Sequence, residues 1–259
     1  MNRIWIRACV CALGTLAAAC SVKEDRTPCP CVVSLDMTEC LGAGDMIVTV
    51  WNEGMVYRRY SSPSEGRKLL ECEVPRGQVT ISAVSVRDAG RLEGSVLTIP
   101  QGSCPDSVYA CAGVIDASGE NALGQIALRK QFASVSLDTR LSLYIGDTAC
   151  AQVRINVCGM DIRDLSAVGG DLSFEVKASE DGIFRFQLPR LPDGNVKMLF
   201  GRETHLHYPL DLGEIMRQGG YDWDAPDLSD INIRTGPTEK DFRVEIIPWQ
   251  GFRIEDVVI

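Results

Sequence analysis

Histidine is nearly absent from this chain, with two residues in 259. Both sit in His205-Leu206-His207, on one face of any strand formed there, and a metal pair would need a third ligand that the neighbouring sequence does not offer. They read as ordinary strand residues. Also missing are a Gly-x-Ser-x-Gly nucleophile elbow, an HExxH helix, a phosphate-binding loop and a dinucleotide fingerprint. No CxxC pair supplies a zinc spacing. A non-enzymatic chain without metal or cofactor is expected. Basic residues are outnumbered, 26 Lys and Arg against 35 Asp and Glu, for a formal charge of −9. Such a surface repels nucleic acid and anionic headgroups, so a nucleic-acid partner is not expected. No hydrophobic run is long enough for a membrane-spanning helix. Residues 8–19 have only the size of a signal-peptide core.

What is present begins at that segment. Arg3 and Arg7 precede it, and Leu16-Ala17-Ala18-Ala19-Cys20 closes it. This arrangement resembles the signal peptide and lipobox of bacterial lipoproteins. The resemblance implies removal of residues 1–19 and acyl chains on Cys20. Several chains anchor firmly, because each buried methylene contributes about 0.8 kcal/mol. Loss of Arg3 and Arg7 takes the formal charge from −9 to −11. Next come Lys23, Glu24 and Asp25, which resemble the export signal that sends some Bacteroidota lipoproteins to the cell surface. Residues 20–30 read as a lipidated linker.

The mature part is predicted to be mainly β. Apolar residues make up 45%, near the globular average. Short runs alternate with period two, as in residues 46–51, 79–86, 152–157 and 241–247. One short helix is expected near Leu210–Gln218, after Pro209 and before Gly219-Gly220. Internal echoes divide the chain. Val33-Ser34-Leu35-Asp36 recurs as Val135-Ser136-Leu137-Asp138, and Gly44-Asp45 recurs as Gly146-Asp147. Cys72-Glu73-Val74-Pro75-Arg76 is echoed by Phe186-Gln187-Leu188-Pro189-Arg190. Two tandem antiparallel β-sandwich domains follow, 31–130 and 131–259, with the helix in the second. In each, the strands flanking the Pro-Arg turn are expected to pair as a hairpin.

Eight cysteines remain after Cys20, an even number that suggests disulfides in an exported protein. Connectivity stays open, but Cys104 with Cys111 and Cys150 with Cys158 would each close a short loop. The acidic run holding Asp222, Asp224, Asp227 and Asp230 lacks the glycine and closing glutamate of a calcium loop, and reads as a solvated turn in which Asp227 caps a helical turn. Trp51, Trp223 and Trp249 could stack on sugars, but core packing is the default reading.

Three segments together resemble the FimB-type fimbrial anchor and minor-subunit lipoproteins of Bacteroidota. They are Cys20–Arg26 with Cys29-Pro30-Cys31, the pair of alternating β domains, and Tyr208–Glu214 with Gly220–Trp223, Leu228–Ile231 and the strands around Trp249. The resemblance implies two transthyretin-like sandwiches, fimbrial structural subunits as partners through donated strands, and a lipid-anchored place on the outer membrane facing the cell surface. The alternative is a surface lipoprotein that binds glycan or a host ligand.

Overall fold

Alternating burial makes a strand almost everywhere the computed structural model describes the chain, which is residues 29–40, 45–63, 68–85, 91–138, 150–202, 205–235 and 242–251. Cys20, Lys23, Glu24 and Asp25 lie outside the described residues. From Cys31 onward the chain packs as one unit.

In the first half, β1 (Cys31–Asp36) buries Cys31, Val33 and Leu35 and turns the residues between them outward. It pairs antiparallel with β4 (Leu69–Val74) and parallel with β9 (Asn121–Gln125) in a three-stranded sheet. The facing sheet runs β10 (Arg129–Lys130), β8 (Tyr109–Asp116), β5 (Gln78–Ser85), β2 (Asp45–Asn52), β3 (Met55–Pro63). Leu35, Val48, Cys72 and Ile81 meet between the two sheets. The β2–β3 turn puts Glu53 and Gly54 at positive φ, 50° and 77°, the geometry that matches strand twist in a two-residue hairpin.

The second half repeats this plan. β11 (Phe132–Asp138) pairs antiparallel with β14 (Ile183–Pro189) and parallel with β17 (Asp230–Thr235). The facing sheet joins β16 (His205–Asp211), β15 (Val196–Arg202) and β12 (Cys150–Asp161), with β13 (Ser166–Lys177) on β12. Its core is aromatic. Phe184 packs edge-on against Phe200 at 5.4 Å, and Phe174 against Phe186 at 6.2 Å. Two of the sequence echoes hold in space, while Gly44, Gly146 and Asp147 of the third lie outside the described residues. Val33 lies opposite Cys72, and Val135, its echo, lies opposite Phe186, the echo of Cys72.

The expected hairpins at the Pro-Arg turns do not form. β4 and β5 lie in facing sheets, as do β14 and β15. Each of these strands has a buried face toward the same core, so the turn must carry the chain across the core rather than back along one sheet. Pro75 and Pro189, with no amide hydrogen, suit a strand end.

The halves are stitched together. β6 (Leu92–Glu93) and β7 (Val96–Thr98) leave the first half and extend the second half's sheet, Thr98 opposite Gly159. A side chain on Gly159 would meet the Leu97 carbonyl at 2.6 Å, so this approach needs glycine. Trp51, Leu97 and Ile162 form a small core at this junction. Beside it Lys130, its side chain 3% exposed, pairs with Asp230, donates to the Leu228 carbonyl at 3.2 Å and lies 4.6 Å from the Phe132 ring. Asp227 accepts from the Lys130 amide at 2.9 Å and from Arg129 at 3.0 Å, so it ties strands together rather than capping a helical turn.

Candidate functional site

The candidate site emerges where the two halves stop matching. In the second half, the side of the sandwich between β16 and β17 carries two further elements. Helix α1 (Leu212–Gln218) buries Leu212 and Met216 in the core. Asp211 caps it by accepting from the Glu214 amide at 3.0 Å, and Gly219 packs against Val244. β18 (Phe242–Ile247) then lies antiparallel along β17. In the first half the corresponding strands are β8 and β9, and among the described residues neither has a comparable cover. β9 pairs only with β1, and β8 beyond Ala110 pairs only with β5.

An open groove of about 680 Å³ lies between these edges. Its lining includes Leu35, Ile81, Cys111, Ile115, Ala122 and Gly124. Gly124 allows the tight fit of β9 over the core, since a Cβ there would lie 2.5 Å from Ile115 Cδ1 and 2.9 Å from Leu35 Cδ2. On the rim, Leu123 is 85% exposed and Val114 64%. The β9 ladder has a definite polarity. The Val32 amide donates to the Glu120 carbonyl at 2.9 Å, and the Ile126 amide to the Asp36 carbonyl at 2.8 Å. Parallel alternation then directs the amides of Leu123 and Gln125 away from β1, toward the groove.

The thiols in and near the groove are not activated. Burial pushes the Cys111 thiol up to about 11, with the backbone of Ala83 and Ala127 partly opposing the shift. Burial likewise pushes Cys40 up to about 11, and its thiol donates to the Ile126 carbonyl at 3.1 Å. Both remain protonated near neutral pH and are poor nucleophiles. The edge strand β3 also exposes apolar residues, Met55 at 70% and Tyr57 at 41%. It carries Arg58 and Arg59 among them, the kind of charge that blunts an edge, and Arg59 donates to the Gly94 carbonyl at 2.6 Å.

The expected disulfides are not formed. Cys104, Cys111 and Cys158 are free thiols. Cys104 lies against Gln187 of the second half, whereas the Cys111 thiol lies against Ala83 and Ala127 of the first. Cys150 and Cys158 occupy one strand, β12, eight residues apart. At about 3.3 Å per residue that separation is far beyond a disulfide's reach. Cys31, Cys40 and Cys72 are buried and pack as small apolar residues, with Cys72 where the second half has Phe186. The tryptophans do not share a face. Trp51 is buried, its indole donating to Ser82 at 2.8 Å, Trp223 meets Tyr221 edge-on at 4.7 Å, and Trp249 lies tilted against Tyr109 at 5.7 Å. His205 and His207 lie in β16.

No family model matches the sequence, and no curated protein matches it. Solved structures share the fold. One is a Bacteroides thetaiotaomicron protein proposed to bind polysaccharide, 11% identical with a TM-score of 0.59, covering 87% of this chain and 99% of that one. Another is the fimbrial anchor protein Mfa2 of Porphyromonas gingivalis, 16% identical, TM-score 0.57, covering 85% and 98%. A third is a Bacteroides ovatus protein proposed as an adhesin, 9% identical, TM-score 0.55, covering 88% and 95%. At these identities the likeness is one of fold.

Proposed function

We propose that this protein is a surface-facing outer-membrane lipoprotein that serves as an anchor or minor structural subunit of a fimbria, with no catalytic role. In this reading residues 1–19 are removed, Cys20 carries the acyl chains, and Lys23, Glu24 and Asp25 direct export. Two tandem transthyretin-like sandwiches stand beyond the lipid and hold fimbrial structural subunits through strand contacts.

The observation that carries the reading is the edge between β8 and β9, which no strand among the described residues covers. An edge strand with outward amides is a template for another strand, and an apolar groove beside it supplies burial and side-chain selection. Covering Leu123 alone would contribute about 2 kcal/mol. The fold shared with a protein described as a fimbrial anchor supports the same direction.

The test is Leu123→Pro. Its amide points away from β1, so proline removes no β1–β9 ladder bond but takes away a donor that an incoming strand needs. Coexpression with a fimbrial structural subunit should give a complex for the native chain and none for Leu123→Pro at unchanged melting temperature. An unchanged complex would overturn the docking site. Cys20→Ala should release the protein from membranes, and full retention would overturn the anchoring.

A further inference from the structure

We propose that the tip of the β2–β3 hairpin, with Met55, Val56 and Tyr57, is a lipid-contacting surface that seats the first sandwich on the membrane holding its acyl chains. This rests on the reading of Cys20 as lipidated. It adds a second point of contact, made by the folded domain itself.

Three observations converge. The first is place. The chain enters the sandwich at Cys31, the first residue of β1. Cys31 lies opposite Val74, the last residue of β4, and Pro75-Arg76-Gly77 carries the chain from there to Gln78, the first residue of β5. Near that start, Thr80 lies opposite Trp51, and Trp51 opposite Val56, so Asn52–Met55 turn back level with the beginning of β5. The hairpin tip and the entry point therefore share one end of the sandwich. The second is composition. Val56 is 43% exposed, and with Met55 and Tyr57 it makes three consecutive exposed apolar side chains. Among the described residues, the other exposed large apolar side chains stand singly in the sequence. The cause is a bulge. The register slips between the Val50–Arg58 and Trp51–Val56 pairs and leaves Tyr57 as the extra residue, so alternation fails there and neighbouring side chains all stand outward. Arg58 lies 5.8 Å from the Tyr57 ring. A tyrosine and a long-stemmed arginine beside apolar residues suit the boundary between hydrocarbon and headgroups. The third is reach. The eleven residues from Cys20 to Cys31 span at most about 40 Å, which keeps this end of the domain at a high local concentration of lipid.

The contact is apolar before it is electrostatic. Glu53 sits in the turn itself and Glu120 at the same end of the sandwich, its carbonyl accepting from the Val32 amide, so Arg58 does not make this end basic. The hold should then survive salt and need no anionic lipid. Depth is limited as well. An interfacial element sinks about 5–10 Å below the headgroups. Exposed Leu69 begins β4 opposite Asp36, five residues from Val74, which places it about 17 Å farther from the membrane along the strand. It serves as an apolar side chain that the seated domain keeps out of lipid.

The test places a photo-crosslinking residue at position 55, and in a separate protein at position 69, in the full acylated chain reconstituted into phosphatidylcholine vesicles. Mass spectrometry reads the lipid adducts. Position 55 should give at least about tenfold more adduct than position 69, in low salt and in high salt alike. In a Val56→Asp/Tyr57→Asp background the yield at position 55 should fall to that of position 69, with melting temperature as the folding control. Equal yields at the two positions, or none at position 55 in a chain that floats with the vesicles, would overturn the seating and leave the lipid anchor in place. Adducts from position 55 to a second copy of the chain instead of lipid would overturn it too. If the full chain and its Cys20→Ala variant both fail to float, the anchoring falls and the seating with it.

Discussion

Asp230→Ala should unfold this protein more readily than Lys130→Met, although the two substitutions break the same ion pair. Lys130 is almost wholly buried, whereas the Asp230 side chain is 36% exposed. Removing the carboxylate leaves the ammonium with the Leu228 carbonyl at 3.2 Å and the Phe132 ring, and strips the Ser134 amide of its acceptor at 2.7 Å. Stranding a buried charge costs about 3–5 kcal/mol, and discounting for water that reaches Asp230 gives about 2–3 kcal/mol here. Lys130→Met keeps the stem's volume and removes the charge, while Asp230 keeps the Ser134 amide and its contact with solvent. That change should stay within about 1 kcal/mol of the native chain. The double variant should recover much of what Asp230→Ala loses. Urea midpoints of the four proteins at pH 7 read the order directly. Equal losses for the two single variants would refute the reasoning, since the asymmetry comes from which partner is left buried.

The junction between the halves should be acid-sensitive. Hydrogen bonds from Arg163, and further ones from its amide and Ser95, hold the Asp161 carboxyl below the usual carboxylate range. Its stabilisation is therefore present above the unfolded value near about 4 and lost as pH falls through the lower folded value. Asp161→Asn should cost about 1 kcal/mol at pH 7, and thermal melts of the two proteins should converge as pH drops below about 4. Thiol accessibility separates the cysteines. At pH 8 an alkylating agent should modify Cys158, half-buried on β12, well before Cys40 and Cys111, whose thiols burial pushes up to about 11; peptide mass spectrometry reads the order. Asp211→Ala should cost about 1 kcal/mol through loss of the α1 cap, measured by the same urea midpoints.

Much of the fold could be read from period-two alternation, because β-strands bury every second side chain and the pattern survives substitution. The helix was readable from its stop at Gly219-Gly220, and it begins at Leu212 after the Asp211 cap. The echo of Val33–Asp36 in Val135–Asp138 gave the repeat, and it corresponds residue by residue in the β1–β4 and β11–β14 registers. Sheet membership was not readable. A proline turn between two apolar strands looks the same whether the chain folds back along one sheet or crosses to the other, and only the shared core decides it. The cysteines misled for a related reason. Thiols can pack as small apolar residues, and Cys72 fills the place that Phe186 takes in the second half. The candidate site was hidden because it consists of a difference between the halves, the cover that α1 and β18 give to one side and that the described residues of the other lack. No local motif marks such a difference.

The central claim is that the β8–β9 edge of the first sandwich receives a partner's strand. A photo-crosslinking residue at position 123, with a second at Tyr57 on the β3 edge as comparison, tests it in assembled fimbriae on cells. An adduct at position 123 to a strand segment of a fimbrial subunit, with none from position 57, is the predicted result. Adducts from position 57 alone, or none from either, would contradict it.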